Sequence, residues 1–471
     1  MKIAFISEFY GVEPLGIMSL SAFLKKHGHQ TELFDIRLDS TWKESVLKYQ
    51  PTIICYSIST GSETKWLKIN SLLKKEHKFV SFFGGMHPTF EPTFIKEEGV
   101  DVICRGEGEY SLLELVETLR SKKPIEHIEG LWIKKDGKTF SNPMRKWEQN
   151  LDLFPSPDRE LIAKYPSYKK LKRRSVLTIR GCSFSCTYCF NPGYNKLYAG
   201  QNIIRRRSID HVIEELKAIK ANYNTERIQF VDDVFLFKPD WVIEFCKRYA
   251  QEINLPFAIH ARVELITPEL ATALKEAGCC LCVFAIETAH LPNRLGLLKR
   301  NMTDEQIVRG AELLKKNKIK IYTQNMVGLP NETLEDAFRT IDLNRKIKAD
   351  YSWVSIFQPY PGTELLEKVK ELGLLPNQDE ALPESYYDKS ILKIKNKEEY
   401  ARLQRWFPIA SRNRIIRSLS PLLIKIPLDG IYKLIGETHK TGMYYYLGYI
   451  NKEEIVGLVK DVLRSKKMGS Y

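Results

Sequence analysis

The feature that most constrains the fold is an alternation of short apolar strands with helical patterns, which runs twice along the chain. Continuous apolar strands separated by helices are typical of a parallel sheet that is covered on both faces. Over residues 1–125 this predicts a doubly wound α/β domain of Rossmann or flavodoxin-like type, with its ligand beyond the carboxyl ends of the strands. The predicted strands are Lys2–Ile6, Thr31–Phe34, Thr52–Tyr56, Phe79–Phe83 and Asp101–Cys104, and the predicted helices include Gly16–His27 and Ser111–Leu119.

Residues 126–165 are predicted to form a hairpin and a linker. Two alternating runs flank Asp136-Gly137, a dipeptide typical of a tight β-turn. Residues 142–165 then carry three prolines and many charges, a composition that favours a linker wrapped over the surface.

The second alternation predicts a partial six-unit β/α barrel of TIM type over residues 166–375, and an open six-stranded sheet fits the same pattern. In a β/α barrel the chemistry lies on the loops that follow the strands. The remainder, residues 376–471, lacks the alternation and is predicted to be mostly helical. The predicted strands are Ser175–Ile179, Arg227–Val231, Pro256–His260, Leu281–Ile286, Lys318–Asn325 and Tyr351–Phe357, and the helices between them are Ile209–Ala221, Pro239–Glu252, Pro268–Ala277, Asp304–Lys315 and Leu334–Arg345.

Charge and hydropathy limit the classes of protein to which this chain can belong. The net charge is +14, and residues 391–471 hold 16 Lys and Arg against 7 Asp and Glu. A basic end favours nucleic acid, an anionic membrane or an acidic substrate, although a plain basic surface explains it equally well. The sequence contains no run of about 18 uncharged apolar residues, so no membrane-spanning helix is expected. The N-terminus resembles a strand rather than a signal peptide, so we expect a cytoplasmic protein.

Three cysteines point to metal chemistry. Cys182, Cys186 and Cys189 have the spacing C-x3-C-x2-C on the loop after the first strand of the second alternation. Structural zinc usually takes four protein ligands in separated pairs, and no fourth Cys or His lies near by in sequence. Three thiolates instead suit a 4Fe–4S cluster in which one iron is left open for a substrate.

This motif, with an aromatic residue before its last cysteine, resembles the signature of radical SAM enzymes. The resemblance implies that the three cysteines hold three irons, while the fourth iron binds S-adenosylmethionine (SAM) and one electron releases a 5′-deoxyadenosyl radical. The segments Ala285–Thr288, Met326–Thr333 and Tyr360–Thr363 resemble further parts of the same core. By this resemblance the SAM contacts are Tyr188, Phe190, Asp232, Asp233, Glu287 and Gly328.

Some of these residues have plainer alternatives, and no residue is assigned a catalytic role. Asp232 and Asp233 could form a solvated turn and a helix cap. Glu287 could be a strand-end carboxylate paired with a lysine.

The N-terminal domain resembles that of the cobalamin-binding subfamily of radical SAM enzymes. In such domains a serine after the third strand and a Gly-Gly after the fourth let the nucleotide tail of cobalamin enter the sheet. Ser57 or Ser59, and Gly84 with Gly85, lie at those places, and His87 is expected to contact the tail.

The Asp-x-His-x-x-Gly motif is absent from the first loop, so cobalamin is expected without a histidine below the cobalt. A degenerate domain that holds no cobalamin is the alternative. Glu107 and Glu109 are expected to cap the following helix.

Together these resemblances imply an enzyme with a 4Fe–4S cluster, SAM and cobalamin, which methylates an unactivated carbon of a small-molecule or lipid-type substrate. The alternatives are radical cyclisation or rearrangement, methylthiotransferase-like RNA modification, and a non-catalytic iron–sulfur or cobalamin-binding protein. RNA methylthiolation is disfavoured because the methylthiotransferase family carries a second three-cysteine site in its N-terminal domain, whereas this domain has only Cys55 and Cys104.

The implied partners are the substrate and an electron donor such as flavodoxin or ferredoxin, and no nucleic acid is expected. The basic C-terminal region could contact a membrane surface, whereas a helical cover packed on the barrel is the alternative.

Overall fold

Strands in the computed structural model follow the two predicted alternations. The structure describes residues 1–376, 382–383 and 389–446. The strands are β1 Lys2–Ser7, β2 Gln30–Asp35, β3 Ile53–Ser57, β4 Val80–Gly84, β5 Val102–Cys104, β6 Leu131–Lys135, β7 Lys138–Ser141, β8 Arg173–Val176, β9 Ile179–Arg180, β10 Arg205–Arg206, β11 Arg227–Phe230, β12 Phe257–Ala261, β13 Cys279–Glu287, β14 Lys320–Val327 and β15 Tyr351–Ile356.

Helices connect most of these strands. The α-helices are α1 Leu15–Lys26, α2 Trp42–Tyr49, α3 Glu63–Lys74, α4 Met86–Phe90, α5 Glu109–Arg120, α6 Glu160–Ala163, α7 Pro166–Lys169, α8 Phe190–Leu197, α9 Ile209–Asn222, α10 Pro239–Glu252, α11 Pro268–Glu276, α12 Asp304–Lys316, α13 Leu334–Lys346, α14 Glu364–Glu371, α15 Lys397–Ala410, α16 Arg414–Leu423 and α17 Asp429–Tyr446. Shorter turns are the 3-10 helices Pro92–Lys96, Leu151–Leu153 and Val263–Leu265 and the π-helix Asn293–Leu297.

The chain divides into two compact units. The first contains residues 1–224, 231–233 and 359–385, and the second contains residues 225–230, 234–358 and 386–471. Domain boundaries at residues 125, 165 and 375 stay predictions from the sequence.

The first unit is built on a sheet with the strand order β2-β1-β3-β4-β5-β6-β7. Its first five strands are parallel, an order typical of flavodoxin-like folds. In β1, Ile3 and Phe5 face one apolar cluster, whereas Ala4 and Ile6 face another. Burial of both faces explains why the strands read as continuous apolar runs.

The predicted hairpin, β6 and β7, is confirmed and extends this sheet at its antiparallel edge. The expectation of a linker lying over the surface is corrected. Leu161, Ile162 and Tyr165 are buried in the core of the first sheet, and Phe154 packs on Phe23. Prolines and charges dominate this segment in sequence, but its few apolar side chains are the ones that pack inward.

A buried ion network connects the loop after β1 with β8. The Glu13 carboxylate accepts hydrogen bonds from Arg159 Nη1 at 2.7 Å, from Arg174 Nη1 at 3.1 Å and from the Ser175 N–H at 2.7 Å. Arg159 also pairs with Glu215 of α9 at 2.9 Å. Because these side chains are almost fully buried, the network is a fixed connection rather than a surface contact.

The second unit contains parallel strands in the order β15-β14-β13-β12-β11, with helices α10 to α13 between them in sequence. Helices α15 and α16 follow, and Leu403, Phe407 and Ile424 share a core with Val354 and Ile356 of β15. All six strands and five helices predicted for the second alternation are present, so the predicted α/β fold class with a helical C-terminal region is confirmed.

None of the helices within residues 1–376 and 389–446 combines the length and the apolar composition needed to cross a bilayer.

Candidate functional site

A cavity of about 350 Å³ lies at the carboxyl ends of the strands of the first sheet. Ser57 ends β3 and Gly84 ends β4, and the two residues are paired across the parallel ladder. Both line the cavity, together with Gly85. The carboxyl edge of a doubly wound sheet is where such folds bind ligands, so this cavity is the candidate cofactor site.

Gly85 occupies a position that only glycine accepts. Its φ is +101°, and a Cβ atom there would lie 2.5 Å from the carbonyl oxygen of Ile58. A side chain would therefore collide with backbone, and the left-handed conformation would be strained as well. This close approach keeps the floor of the cavity open next to Gly84, whose own Cβ position is not crowded.

Two residues predicted to contact cobalamin do not line the cavity. Ser59 is exposed, and its carbonyl accepts a hydrogen bond from Ser62 Oγ at 2.7 Å. His87 is buried, its Nδ1 lies 3.2 Å from Thr60 Oγ1, and its ring meets the edge of Phe94. Burial lowers the pKa of His87. Both residues thus have contacts within the chain, and their contact with cobalamin stays a prediction from the sequence.

One wall of the cavity carries charges that the sequence predictions missed. Arg180 Nη2 lies 2.6 Å from Glu109 and its Nη1 lies 3.2 Å from Glu107, while Arg205 binds Glu107 through both terminal nitrogens. Burial alone would raise the pKa of Glu107, but Arg180 and Arg205 lower it below the ordinary value.

The expectation that Glu107 caps α5 is corrected, because its carboxylate pairs with Arg180 and Arg205 instead, whereas Glu109 lies near the helix N-terminus as expected. Gly108 is the N-cap residue of α5, and Glu109 lies in its first turn. Arg180, directly before Gly181, was the only sequence signal for this charged wall. Its partners Glu107 and Glu109 lie some 70 residues earlier in the chain, so the sequence did not indicate that they pair with it.

The strand before the cysteine loop is held by Asp232. Its Oδ1 accepts hydrogen bonds from the N–H groups of Thr178 at 2.6 Å and Ile179 at 3.1 Å, and its Oδ2 accepts one from Thr178 Oγ1 at 2.7 Å. Burial raises the pKa of Asp232 to about 6. Both carboxylate oxygens thus accept hydrogen bonds from the chain itself and position this strand, while the contact of Asp232 with SAM stays a prediction from the sequence.

The cysteine loop begins at a backbone constraint. Gly181 has a φ of +93°, and a Cβ atom there would lie 1.8 Å from the Ile203 carbonyl oxygen. That carbonyl belongs to the segment leading into β10, which pairs antiparallel with β9. The close contact fixes the point at which the chain leaves β9 for Cys182.

Asparagine side chains shape the rest of the loop. Asn195 donates a hydrogen bond to the Cys182 carbonyl at 2.8 Å, and the Cys189 N–H donates to the Cys186 carbonyl at 3.1 Å. Cys189 is the N-cap residue of α8, a helix that the sequence patterns missed, and its sulfur accepts the Asn191 N–H at 3.5 Å. The Asn191 amide also lies 3.6 Å from this sulfur and 3.2 Å from Asp233 Oδ2.

This donor set fits an iron–sulfur cluster. Burial raises the pKa of the Cys189 thiol to about 12, and N–H donors on the sulfur act in the opposite direction. Cluster binding takes the thiolate, which such donors stabilise. Within the described part of the chain, no three His, Cys, Asp or Glu side chains converge on one metal ion. The thiolates of a 4Fe–4S cluster each bind a different iron, so they need not converge on one point.

The predicted aromatic contacts flank the last cysteine. Tyr188 is half-buried, and Phe190 is 37% exposed with its ring set edge-on to Tyr194.

In the second unit, Glu287 and Gly328 end two neighbouring strands. Glu287 is the last residue of β13, is buried and has a φ of +66°. Positive φ is uncommon for a non-glycine residue and is concentrated at functional sites. Gly328 follows β14 with a φ of +75°, and its N–H donates to Glu332 Oε2 at 2.7 Å. Burial raises the pKa of Glu332 to about 8.

Comparison with protein families finds two matches along the chain. Residues 1–116 match the B12 binding domain, and residues 176–343 match the radical SAM superfamily. The first match contains the cavity glycines, and the second contains the three cysteines of the loop.

Individual proteins agree with these matches. The uncharacterized methyltransferase PH0819 of Pyrococcus horikoshii is 30% identical over 75% of this chain and 78% of its own length. The anaerobic magnesium-protoporphyrin IX monomethyl ester cyclase of Rubrivivax gelatinosus is 26% identical over 78% of this chain and 70% of its own. The radical SAM methyltransferase TsrM from Kitasatospora setae, solved with tryptophan and a SAM analogue, has a similar fold, with a TM-score of 0.68, 16% identity and coverage of 81% and 79%.

The fold and these matches define a two-domain enzyme class, in which a B12-binding sheet precedes a SAM-cleaving domain. The chain belongs to the cobalamin-dependent branch of the radical SAM superfamily. Its cofactors are a 4Fe–4S cluster, SAM and cobalamin. The roles of individual residues toward these cofactors stay predictions.

Proposed function

We propose that this enzyme transfers a methyl group from SAM to an unactivated carbon of a small-molecule or lipid-type substrate. The observation that carries the proposal is that one cavity is lined by two parts of the chain. One part is the carboxyl edge of the sheet, with Ser57, Gly84 and Gly85. The other is the segment leading to the cysteine loop, with Leu177, Ile179 and Arg180. A corrinoid in this cavity would lie against the segment that enters the cluster loop, as a reaction that uses both cofactors requires.

The residue roles in this proposal are those predicted from the sequence, adjusted where contacts within the chain support another role. Cys182, Cys186 and Cys189 ligate three irons, and Ser57 with the two glycines accommodates the nucleotide tail of cobalamin. Tyr188, Phe190 and Asp233 are proposed to contact SAM, and the SAM contacts of Glu287 and Gly328 stay predictions from the sequence. Asp232 is reassigned to positioning of β9, and Ser59 and His87 to packing, for the contacts described above.

When bound, cobalamin would supply methyl-transfer chemistry, and the cluster with SAM would supply radical chemistry. The protein contributes the enclosing residues. The Asn191 amide orients the Cys189 sulfur, and the Arg180 ion pairs fix the backbone that enters the loop. An electron donor such as flavodoxin or ferredoxin would supply the reducing electron.

Radical cyclisation or rearrangement is the second candidate, because the similar proteins include the cyclase of Rubrivivax gelatinosus. Product analysis separates the two reactions. Methyl transfer converts one SAM to S-adenosylhomocysteine and a second SAM to 5′-deoxyadenosine and methionine. Cyclisation forms 5′-deoxyadenosine without matching S-adenosylhomocysteine.

The test is anaerobic incubation of the reconstituted holoenzyme with SAM and a reductant, followed by chromatography of both nucleoside products. Formation of both products supports methyl transfer. Formation of 5′-deoxyadenosine without S-adenosylhomocysteine overturns methyl transfer, because SAM then gives up no methyl group, and formation of neither product overturns both reactions.

Cys186→Ser should lose cluster iron and both products, because a hydroxyl is a poor ligand for iron–sulfur chemistry. Cys280→Ser is the matched control, because this half-buried cysteine lies on β13 and donates to the Phe257 carbonyl at 3.2 Å, a bond that serine can also make. It should retain iron and activity.

A further inference from the structure

Helix α16 has an apolar face that is not used for packing. Seven of the sixteen large apolar side chains exposed in the described residues fall between Ile415 and Leu434. Ile415 is 71% exposed, Leu422 is 66% exposed and Leu434 is 69% exposed. The set, called here the α16–α17 apolar surface, is Ile415, Leu419, Leu422, Ile426, Leu428, Ile431 and Leu434.

A second face of α16 already packs on the protein. Ile416, Ser420 and Ile424 recur every four residues, and Ser420 and Ile424 are fully buried. Ile415, Leu419 and Leu422 recur at steps of four and three, which places them on one stripe turned away from the first. An ordinary surface helix buries its one apolar stripe and leaves the rest polar, so the second stripe needs another explanation.

Basic side chains border the apolar surface. Arg414, Lys425 and Lys433 are exposed. Asp429 is the only acidic residue between positions 412 and 436, and its carboxylate is bound by Arg402 Nε at 2.8 Å. Arg417 is paired with Asp342 and does not contribute to this border. The border is therefore positively charged.

We propose that the α16–α17 apolar surface docks on a membrane containing anionic lipid. Apolar side chains of an interfacial helix enter the boundary between head groups and acyl chains, while flanking Lys and Arg extend to the anionic head groups. The proposal does not depend on which reaction the enzyme catalyses.

Two other occupants fit less well. A two-fold dimer through this surface would bring Arg414, Lys425 and Lys433 of both copies together, which like-charge repulsion opposes. Residues 447–471 lie outside the described residues, but their sequence has five Lys and Arg against three Asp and Glu and does not complement a basic border.

The test is flotation of the full-length holoenzyme with vesicles of phosphatidylcholine and phosphatidylglycerol, compared with vesicles of phosphatidylcholine alone. Binding should favour the anionic vesicles and should fall as salt is added, because charge attraction is screened. Combined Ile415→Gln, Leu419→Gln and Leu422→Gln should weaken partitioning by about tenfold or more, since apolar burial is lost.

Two further variants make the test decisive. Combined Arg414→Gln, Lys425→Gln and Lys433→Gln keeps the apolar stripe and should remove the preference for anionic lipid. Leu72→Gln, at an exposed leucine of α3, is the matched control and should bind as the unaltered protein does. Circular dichroism and iron content check that each variant is folded.

Equal flotation with both kinds of vesicle, or unchanged flotation of the leucine and isoleucine variant, would overturn the proposal. So would self-association that this variant abolishes in the absence of any vesicle binding.

Discussion

Arg205 and Glu107 form a two-point ion pair, with distances of 3.0 Å and 2.5 Å between the terminal nitrogens and the carboxylate oxygens. The Arg205 side chain is only 1% exposed, and its guanidinium lies 4.4 Å from the centre of the Trp147 ring. Glu107 also meets Arg180, the residue two positions before Cys182. The pair therefore connects the loop after β5 with the two strands that frame the cysteine loop.

Glu107→Gln should lower the free energy of unfolding by about 3 kcal/mol, because it leaves the buried charge of Arg205 uncompensated. Thermal or urea unfolding of the apoprotein measures the change. Glu371→Gln breaks an exposed pair with Lys368 and should stay within about 0.5 kcal/mol of the unaltered protein. Equal stabilities of the two variants would contradict the structural role of Glu107.

Acid should weaken the same contact. The pKa of Glu107 is raised by burial but lowered more by its arginines, and the net pKa lies below the ordinary value of 4.5. A carboxylate of this kind stabilises the fold above pH 4.5 and loses its contribution as the pH falls through the folded pKa. Glu107→Gln should therefore unfold with a shallower dependence on pH below 4.5.

Gly85→Ala should reduce both stability and cobalamin retention, because its Cβ would lie 2.5 Å from the Ile58 carbonyl oxygen. Gly137→Ala is the matched control, since Gly137 also has a positive φ, +74°, but no heavy atom within 4 Å of its Cβ position. The control should lose about 1 kcal/mol of stability, because alanine at this positive φ is strained, and it should lose no cobalamin. Equal cobalamin content in the two variants, measured by the visible spectrum after gel filtration, would show that Gly85 does not shape the site.

The variant Asp232→Asn distinguishes a positioning role of Asp232 from a direct contact between Asp232 and SAM. An amide oxygen still accepts the Thr178 and Ile179 N–H groups, so this variant should keep its iron and its rate of SAM cleavage within about fivefold. Asp232→Ala removes all three hydrogen bonds and should lose iron and roughly 2–4 kcal/mol of stability. Full iron content with SAM cleavage abolished in Asp232→Asn would instead favour the SAM contact expected from the sequence.

The buried Glu332 should lower the free energy of unfolding as the pH rises towards 8. Burial raises its pKa to about 8 in the folded protein, against an ordinary value of 4.5. The folded state thus holds this proton more tightly, and stability falls as the pH rises from 4.5 through 8. Glu332→Gln should remove this loss, which is on the order of 4 kcal/mol at about 1.4 kcal/mol per pKa unit over the rise from 4.5 to about 8. Parallel melting curves at pH 5 and pH 8, with equal differences for both proteins, would contradict this expectation.

Local patterns in the sequence were enough for the strands, for most helices and for the cysteine loop. Apolar continuity marked β1 to β5, and Asp136-Gly137 marked the hairpin, because these signals lie within a few consecutive residues. Helix α8 was missed since Phe190–Leu197 contains Asn, Pro and Gly and begins from a cysteine cap. Its stability comes from packing of Tyr194 and Tyr198 on Trp147, which no periodicity reveals.

Contacts between distant residues could not be predicted. Glu107 and Glu109 looked like helix caps because a glutamate near a helix start usually is one, whereas Arg180 and Arg205 determine their role. His87 and Ser59 matched the expected sequence positions, but the direction of a side chain depends on the turn that carries it. The same holds for Asp232, whose partners lie 53 and 54 residues away.

The buried carboxylate of Glu13 limits how freely this architecture can be recombined. Glu13 lies on the loop after β1, yet the groups that neutralise it, Arg159 and Arg174, come from beyond the hairpin. A chimaera that grafts another protein's first 125 residues onto this chain would leave Arg174 without the carboxylate that it pairs with, and Arg159 with Glu215 alone, unless the donor also supplies an acid at the equivalent place. Exchange of corrinoid modules between such enzymes therefore has a compatibility requirement that lies outside the module itself.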